Sequence, residues 1–280
     1  MFRCKIEQGI IFRNLIDVIN QIFSDIEFKI AKTGIFINSM NVHRDIFLNL
    51  NFSVYNFKEF ICDENITLKI DLGIFSKVLK NITNEDSLIL EEDAKNQKLK
   101  VIIQGKYKRS YSLPLLEETI SISFKENKRP QFKNPNKFSI NLDSDKFNKI
   151  LKELQKTKGS FISFITEDQK FKIGCYEGDY EGIFDVENIK DGQYNGEIKI
   201  NTDYILKASR AYLISDNVEI EFNDEGLLHL LYKIYNDDRN GTLEYYIASM
   251  QEEEYEEEEE EEENEEQEQE NKDIDTKSEE

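Results

Sequence analysis

Residues 1–22 read MFRCKIEQGIIFRNLIDVINQI, and this stretch is echoed in the second half of the chain. A shift of 136 positions places apolar residues on apolar residues and one basic residue on another. The matched pairs are Phe2 with Phe138, Ile6 with Leu142, Ile11 with Phe147, Arg13 with Lys149, Leu15 with Leu151, Val18 with Leu154 and Phe28 with Phe164. Such a repeat predicts two similar domains in one chain.

Helical and strand-like spacings alternate along the 280 residues, and strand-like spacing is the more frequent. Apolar residues recur with helical spacing near 10–23, 73–82, 145–156 and 202–212. Strict alternation of apolar and polar residues is clearest near 69–72, 99–103 and 217–222. The chain is therefore predicted to be an α+β protein.

The third helical segment has the clearest division into two faces. An apolar stripe lies opposite a row of lysines, and either Asp143 or Ser144 stands where an N-cap is expected. The stripe consists of Phe147, Ile150, Leu151 and Leu154, and the row of Lys146, Lys149, Lys152 and Lys156. We expect the lysines to face away from the core.

Composition separates the chain into four parts. Residues 1–116 and 137–250 are predicted to be the two domains, and the polar stretch 117–136, which contains two of the three prolines, is predicted to connect them. Residues 251–280 are predicted to be a disordered acidic tail, because a run of glutamates repels itself and offers little to bury.

The formal net charge of −21 comes mostly from that tail. Residues 251–280 hold 19 of the 57 acidic residues and 2 of the 36 basic ones, a net charge of −17. Residues 1–250 hold the other 38 acids and 34 bases, a net charge of only −4. The body of the chain can therefore carry a local basic surface.

Several classes of protein are disfavoured by what the sequence contains. The three cysteines are widely and irregularly spaced, which favours reduced thiols over disulfides or a zinc cluster. No phosphate-binding loop, dinucleotide fingerprint or nucleophile elbow occurs, and His43 and His229 are the only histidines. The acidic run 91–93 could suggest a metal-dependent nuclease, but a solvated turn is the commoner source of such a run. We expect a soluble, intracellular protein without membrane contact, cofactor, metal or enzymatic activity.

Five stretches together resemble one known family. They are 1–22, already quoted, 34–41 (GIFINSMN), 61–80 (ICDENITLKIDLGIFSKVLK), 84–86 (NED) and 241–248 (GTLEYYIA). Their order and positions are similar to those of proliferating cell nuclear antigen, the eukaryotic-type DNA sliding clamp. The resemblance covers nearly all of the first half and both ends of the second, and it is weak near 117–200.

The resemblance implies a clamp fold and a function. Each chain of that family has two domains of β-α-β-β-β units, and three chains close into a ring whose helices line the pore. The implied function is that of a DNA polymerase processivity factor. Its partners would be duplex DNA without sequence preference, two further copies of itself, DNA polymerase and other proteins with a clamp-binding motif, and a clamp loader.

The DNA-binding residues implied by the resemblance are bases on the four helices, because phosphate attraction holds a duplex without reading its sequence. They are Arg13, Lys77, Lys80, Lys146, Lys149, Lys152, Lys156, Lys207 and Arg210. Two basic positions of the family's signature segment are Ile61 and Glu64 here, so the second domain is expected to dominate. The tail would either solvate the protein or act as an anion that competes with DNA or binds basic partners.

The resemblance also implies a docking pocket for a short 3₁₀ turn of partner proteins. The matching positions are Met40, Arg44, Phe47, Phe124, Leu227, Tyr246 and Ala248, with Arg44 replacing the family's histidine and Leu227 its proline. An ordinary strand facing the core is an equal alternative for the region of Phe124.

Subunit contacts are implied between one edge strand and that of a neighbouring copy. The interface residues are Ser110, Tyr111 and Leu113 on one chain and Ile183 and Phe184 on the next.

Two alternatives remain open within the same fold. One is a subunit of a checkpoint-type heterotrimeric clamp, and the other is a clamp-like interaction platform that no longer slides on DNA. The richness in Ile, Asn and Lys favours an AT-rich genome, that of a large DNA virus or a protist. The expected location is the nucleus, or a cytoplasmic replication site if the protein is viral.

Overall fold

The computed structural model describes residues 1–117, 130, 132, 138–167, 170–178, 180–188 and 195–250. The predicted connecting segment lies mostly outside these residues, as do Phe124 and the acidic tail 251–280.

Residues 1–117 form two helices and nine strands. The helices are α1 (Gly9–Ile19) and α2 (Leu72–Leu79). The strands are β1 (Phe2–Ile6), β2 (Asp25–Ala31), β3 (Gly34–Met40), β4 (Ile46–Ser53), β5 (Glu59–Cys62), β6 (Ile66–Asp71), β7 (Ser87–Asp93), β8 (Lys98–Gln104) and β9 (Lys108–Pro114).

In the described part of the second half, the order is similar, with two helices and eight strands, and one strand fewer lies between the helices. The helices are α3 (Ser144–Leu154) and α4 (Thr202–Ser209), and a 3₁₀ turn, Arg210–Leu213, continues α4. The strands are β10 (Phe138–Asp143), β11 (Phe161–Glu167), β12 (Lys170–Glu177), β13 (Tyr180–Asn188), β14 (Gly196–Asn201), β15 (Asn217–Phe222), β16 (Leu227–Lys233) and β17 (Gly241–Ala248). The four predicted helices and the predominance of strands are confirmed.

The described strands form three antiparallel sheets. A five-stranded sheet has the order β5-β1-β7-β8-β9, and a four-stranded sheet has the order β13-β12-β11-β14. The third sheet has eight strands in the order β10-β15-β16-β17-β4-β3-β2-β6 and therefore draws on both halves of the chain.

The two halves are joined by the pairing of β17 with β4. Its register runs from Gly241 opposite Phe52 to Ile247 opposite Ile46. Gly241 has a φ of +103°, and a Cβ atom there would lie 1.8 Å from the carbonyl oxygen of Asn51. Only glycine fits this close approach, which starts the joining strand.

The repeat seen in the sequence is real, but its offset changes in the helices. An offset of 136 suits the strands, because the buried Phe28 in β2 corresponds to the buried Phe164 in β11. Two residues separate β1 from α1, whereas α3 begins directly after β10, and the buried faces of the two helices match at an offset of 135, so Phe12 corresponds to Phe147. The predicted match of Arg13 with Lys149 is therefore wrong.

Each half buries a cluster of phenylalanines between its helices and sheets. In the first half the ring of Phe12 lies 5.6–6.3 Å from those of Phe28, Phe52 and Phe75. In the second half the ring of Phe164 lies 6.3 Å from those of Phe147, Phe171 and Phe222. A buried aromatic ring of this size contributes a large share of the packing energy, so both halves are stabilised in the same way.

The starts of three helices are fixed by side-chain caps. Asp71 accepts from the backbone N–H of Ile74 at 2.8 Å, and Asp143 accepts from that of Lys146 at 2.7 Å. Asn201 caps α4 in the position that Asp71 holds before α2. Of the two predicted N-caps of α3, the structure selects Asp143. Each cap contributes about 1 kcal/mol.

Cys4, Cys62 and Cys175 are all free thiols with buried side chains. Among the described residues, no helix has both the length and the apolar content required to cross a bilayer.

Candidate functional site

The four helices form one layer that extends across both halves. Helix α1 packs beside α2, and α3 packs beside α4. The 3₁₀ turn after α4 lies against both α1 and α3, and Arg210 Nη1 donates to Gln21 Oε1 at 3.3 Å across the junction. A continuous helical surface therefore covers one side of the chain.

Helix α3 presents the strongest row of bases on this layer. Lys146, Lys149 and Lys152 of α3, and Lys156 of the 3₁₀ turn Gln155–Thr157 that continues it, are all exposed, whereas the apolar stripe opposite them is buried. The Nζ of Lys152 lies 5.6 Å from the centre of the Tyr212 ring, and Lys149 is paired with Asp145 one turn earlier. The row is thus presented to solvent along the whole helix, as its spacing predicts.

The predicted bases on the other helices differ in how freely they can reach a ligand. Lys77, Lys80 and Arg210 are exposed. Lys207 is half-buried and pairs with Asp203 one turn earlier. The α2 and α4 positions are equivalent, because Lys77 and Lys207 lie at the same place in helices that begin at Leu72 and Thr202.

The guanidinium of Arg13 is already bound by two acceptors within the same chain. Its Nε lies 3.3 Å from Asp17 Oδ2, and its Nη1 donates to the carbonyl oxygen of Ile82 at 3.3 Å. Asp17 also accepts from Ser76 Oγ at 2.8 Å. Because two acceptors already bind its guanidinium, Arg13 is a weaker candidate for phosphate contact than the lysines of α3.

Most of the predicted pocket residues lie in adjacent strands of the eight-stranded sheet. Met40 is opposite Phe47, Phe47 is opposite Tyr246, and Leu227 is opposite Ala248. The rings of Phe47 and Tyr246 are 6.0 Å apart. Met40 and Ala248 are exposed, whereas Phe47 and Tyr246 are only about 5% exposed and lie buried between them.

The loop after Met40 is shaped by Asn41. Its Oδ1 accepts from the backbone N–H groups of Asp45 and Ile46, at 2.9 and 3.0 Å. This turn places Arg44 on the surface with a φ of +67°. Tyr204 of α4 donates to Asp45 at 3.0 Å and so ties the loop to the helix layer.

A buried polar cluster beside these rings was not found by sequence reasoning. His229 lies opposite Tyr246 in the sheet, with its ring stacked 4.3 Å away at an interplanar angle of 13°. His229 Nδ1 lies 3.0 Å from Glu221 Oε2, and Nε2 lies 3.2 Å from Glu244 Oε2. Phe132 of the connecting segment, also missed, lies 6.5 Å from the His229 ring. Only the alternation of β15 to β17 could have indicated that these polar groups share one face.

The two strands predicted to form the subunit interface are each the last strand of a sheet. Among the described strands, β9 pairs with β8 alone and β13 with β12 alone. Ser110, Tyr111 and Ile183 are exposed, and Phe184 is half-buried. The Leu113 side chain packs into the chain's own core, so only its backbone remains at the edge.

The described part of the chain contains no group of three or more His, Cys, Asp or Glu that could hold a metal ion.

Comparison with known proteins identifies similar chains. Residues 1–124 match the family described as "Proliferating cell nuclear antigen, N-terminal domain". The chain is 25% identical over 270 residues to proliferating cell nuclear antigen of Saccharomyces cerevisiae, covering 91% of this chain and 100% of that protein. It is 26% identical over 201 residues to DNA polymerase sliding clamp 3 of Sulfurisphaera tokodaii, covering 70% of this chain and 78% of that one.

Two solved structures share the fold. Proliferating cellular nuclear antigen of Entamoeba histolytica superposes with a TM-score of 0.79 at 18% identity, covering 89% of this chain and 99% of that one. The PCNA2–PCNA3 complex of Sulfolobus tokodaii gives a TM-score of 0.75 at 22% identity, with 88% and 98% covered. The α+β architecture is that of these proteins.

Proposed function

Since this chain is a sliding clamp of the proliferating cell nuclear antigen type, we propose that it encircles duplex DNA as a homotrimer and acts as a DNA polymerase processivity factor. The helical layer would line the pore and attract phosphates without reading base sequence. The single observation that carries this proposal is the exposed lysine row of α3 on a helix layer continuous across both halves.

Ring closure is supported by the two edge strands. Each has backbone groups available for pairing, and antiparallel addition of one to the other would extend two sheets across the subunit boundary. The charges are also complementary, because β9 and its turn carry Lys106 and Lys108, while β13 carries exposed Glu181 and Asp185. A head-to-tail contact of this kind closes a ring if the rotation per subunit is one third of a turn.

Partner docking is supported by the strip of Met40, Phe47, Tyr246 and Ala248. Buried aromatic anchors beside exposed apolar residues suit a short apolar motif of a polymerase or another partner. A clamp loader would open the ring, and the protein itself would perform no catalysis.

The first test is the native mass at several protein and salt concentrations. A homotrimer has a mass of about 99 kDa, three times the 33.0 kDa of one chain. The trimer should be retained on nicked circular DNA and should slide off a linear fragment. A persistent monomer would contradict the homotrimer.

Ile183→Asp tests the interface itself. Ile183 is 42% exposed at the β13 edge, so a carboxylate there should leave the fold intact, but it would face desolvation in the interface. We expect monomers and loss of retention on circular DNA. Val42→Asp, at a site that is 92% exposed outside both edges, is the matched control and should remain trimeric.

A further inference from the structure

His229 lies between two carboxylates, next to Tyr246 of the proposed docking strip (Met40, Phe47, Tyr246 and Ala248). It is 7% exposed, Glu221 is 9% exposed and Glu244 is 1% exposed. Both ring nitrogens of His229 lie within hydrogen-bonding distance of a carboxylate oxygen, at 3.0 and 3.2 Å. A neutral imidazole can donate from only one nitrogen, whereas an imidazolium donates from both. The geometry therefore matches the charged form.

Burial and hydrogen bonding act on this charge in opposite directions. Burial favours the neutral ring, but the hydrogen bonds to Glu221 and Glu244 outweigh it and raise the pKa of His229 above the ordinary histidine value. Glu244 is itself well satisfied, because Asn49, Thr242 and Tyr246 also donate to it, at 3.1, 3.1 and 2.9 Å. The cluster is thus a connected network, not an isolated buried charge.

The network touches Tyr246 at two points. The hydroxyl of Tyr246 donates to Glu244, and its ring stacks on that of His229. A cation is attracted to the face of an aromatic ring. The imidazolium of His229 therefore also stabilises the position of the Tyr246 ring on which it stacks. On its other side Tyr246 approaches Phe47, and His229 approaches Phe132 of the connecting segment. Four rings thus form one row across β4, β17, β16 and that segment.

We propose that His229, held between Glu221 and Glu244, is a positioning residue of the docking pocket: its charged ring fixes Tyr246 and anchors Phe132, and partner affinity depends on it. This inference rests on the docking role proposed above. It assigns to His229 a function that involves no direct contact with the partner.

The cluster predicts a pH dependence of docking. The described groups that face His229 are Glu221 from β15, Glu244 and Tyr246 from β17, and Phe132 from the connecting segment. His229 bridges the two carboxylates, one at each ring nitrogen. Because the folded-state pKa is raised, the cluster is intact at low pH and loses the imidazolium charge as the pH rises through that pKa. Two carboxylates would then face one neutral ring, and Tyr246 would lose its support.

The test uses the full chain with His43→Gln, so that His229 alone gives imidazole NMR signals. The same protein is titrated from about pH 6 to about pH 9, which brackets the range in which histidines titrate. Affinity is measured over that range with a fluorescein-labelled peptide that forms a 3₁₀ turn with one aliphatic and two aromatic anchors. Affinity should fall about tenfold or more as His229 loses its proton, the scale of one charge-assisted hydrogen bond.

Two variants separate positioning from a merely structural role. Glu221→Gln should lower the pKa of His229 and move the midpoint of the affinity profile down by the same amount. His229→Gln should bind the peptide about tenfold more weakly, with a flat profile. Thermal melting checks that both variants are folded, and His43→Gln should bind as tightly as the unsubstituted chain.

The outcomes are distinct. An affinity that stays constant while His229 titrates, or a midpoint that stays fixed when Glu221→Gln lowers the pKa, overturns the positioning role and leaves the docking role standing. A peptide that binds at no pH to the unsubstituted chain overturns the docking role and this inference together, while retention on circular DNA still tests the clamp.

Discussion

At the scale of single residues, Asp86 shows how one buried carboxylate supports an edge strand. It is 6% exposed and accepts from the backbone N–H and the hydroxyl of Thr83, both at 2.9 Å, and from Arg109 at 3.1 Å. Arg109 belongs to β9, so Asp86 ties the proposed interface strand to the turn after α2. Gly105 lies so close that a Cβ atom there would be 1.8 Å from Asp86 Oδ1.

Asp86→Asn should destabilise the fold by about 1–3 kcal/mol, because a charge-assisted network loses its anion. The backbone N–H of Thr83, its hydroxyl and Arg109 lower the pKa of Asp86, although burial opposes them. Its contribution is therefore present above the unfolded pKa and is lost as the pH falls through the lower folded value. Urea unfolding at neutral and acidic pH measures this, and the acid-induced loss should be smaller in the variant.

Glu85→Gln is the control for that substitution. Glu85 is the exposed neighbour of Asp86, so the same chemical change there should leave stability within about 0.5 kcal/mol at both pH values. An Asp86→Asn variant as stable as Glu85→Gln would contradict the role given to Asp86.

At the scale of elements, α3 is the part of the helix layer best suited to DNA. Its buried stripe fixes its orientation, and its three exposed lysines, followed by Lys156 in the 3₁₀ turn Gln155–Thr157, lie along the opposite face. Helix α1 has its equivalent face occupied by Arg13 and Asp17, which bind each other. The two domains are similar in fold but unequal in the charge they present.

The double variant Lys146→Gln/Lys156→Gln should weaken DNA binding without affecting the fold. Both lysines are exposed, and neither has an ion pair among the described residues. The slope of log affinity against log salt should become shallower by about 0.9 for each phosphate that the variant no longer neutralises. Anisotropy titrations with a duplex at several salt concentrations measure this.

Lys95→Gln/Lys98→Gln changes the net charge equally, at the exposed turn after β7 and the exposed first residue of β8, and serves as the control. Its salt dependence should match that of the unsubstituted chain. Equal slopes for the two double variants would show that α3 makes no special contribution. Arg13→Gln should change the slope less than the double variant Lys146→Gln/Lys156→Gln does.

At the scale of the whole molecule, one sheet joins both halves while the charge is concentrated at one end. The pairing of β4 with β17 makes the two domains a single body. Residues 251–280 carry −17 of the total −21. The backbone N–H of Met250 donates to the carbonyl of Lys199 in β14, three residues before α4 begins. The last described residue, Met250, therefore lies beside a point roughly 10 Å along β14 from the start of α4.

Removing residues 251–280 should increase affinity for DNA, because an anionic segment that begins near the helices competes with phosphates. The gain should be largest at low salt and should vanish when charges are screened. Thermal stability should not change. A full-length variant with every tail Glu replaced by Gln should behave like the truncated chain, whereas equal affinities for all three proteins would favour a tail that only solvates.

Local pattern alone accounts for a large part of this protein. The four helices, the lysine face of α3, an N-cap at Asp143 or Ser144 and the division of charge could all be predicted from neighbouring residues. Helical periodicity relates each side chain to others within a few positions, and charge can be counted without coordinates.

Contacts between distant positions required the folded chain. Arg13 donates a hydrogen bond to a carbonyl oxygen 69 residues away in the sequence. The cluster around His229 consists of side chains from three strands that the pairing register places side by side. The change of the repeat offset from 136 to 135 in α3, which misaligns Arg13 with Lys149, is invisible until the buried faces are known. Cross-strand register brings distant residues together in space, and no local periodicity records which of them will meet.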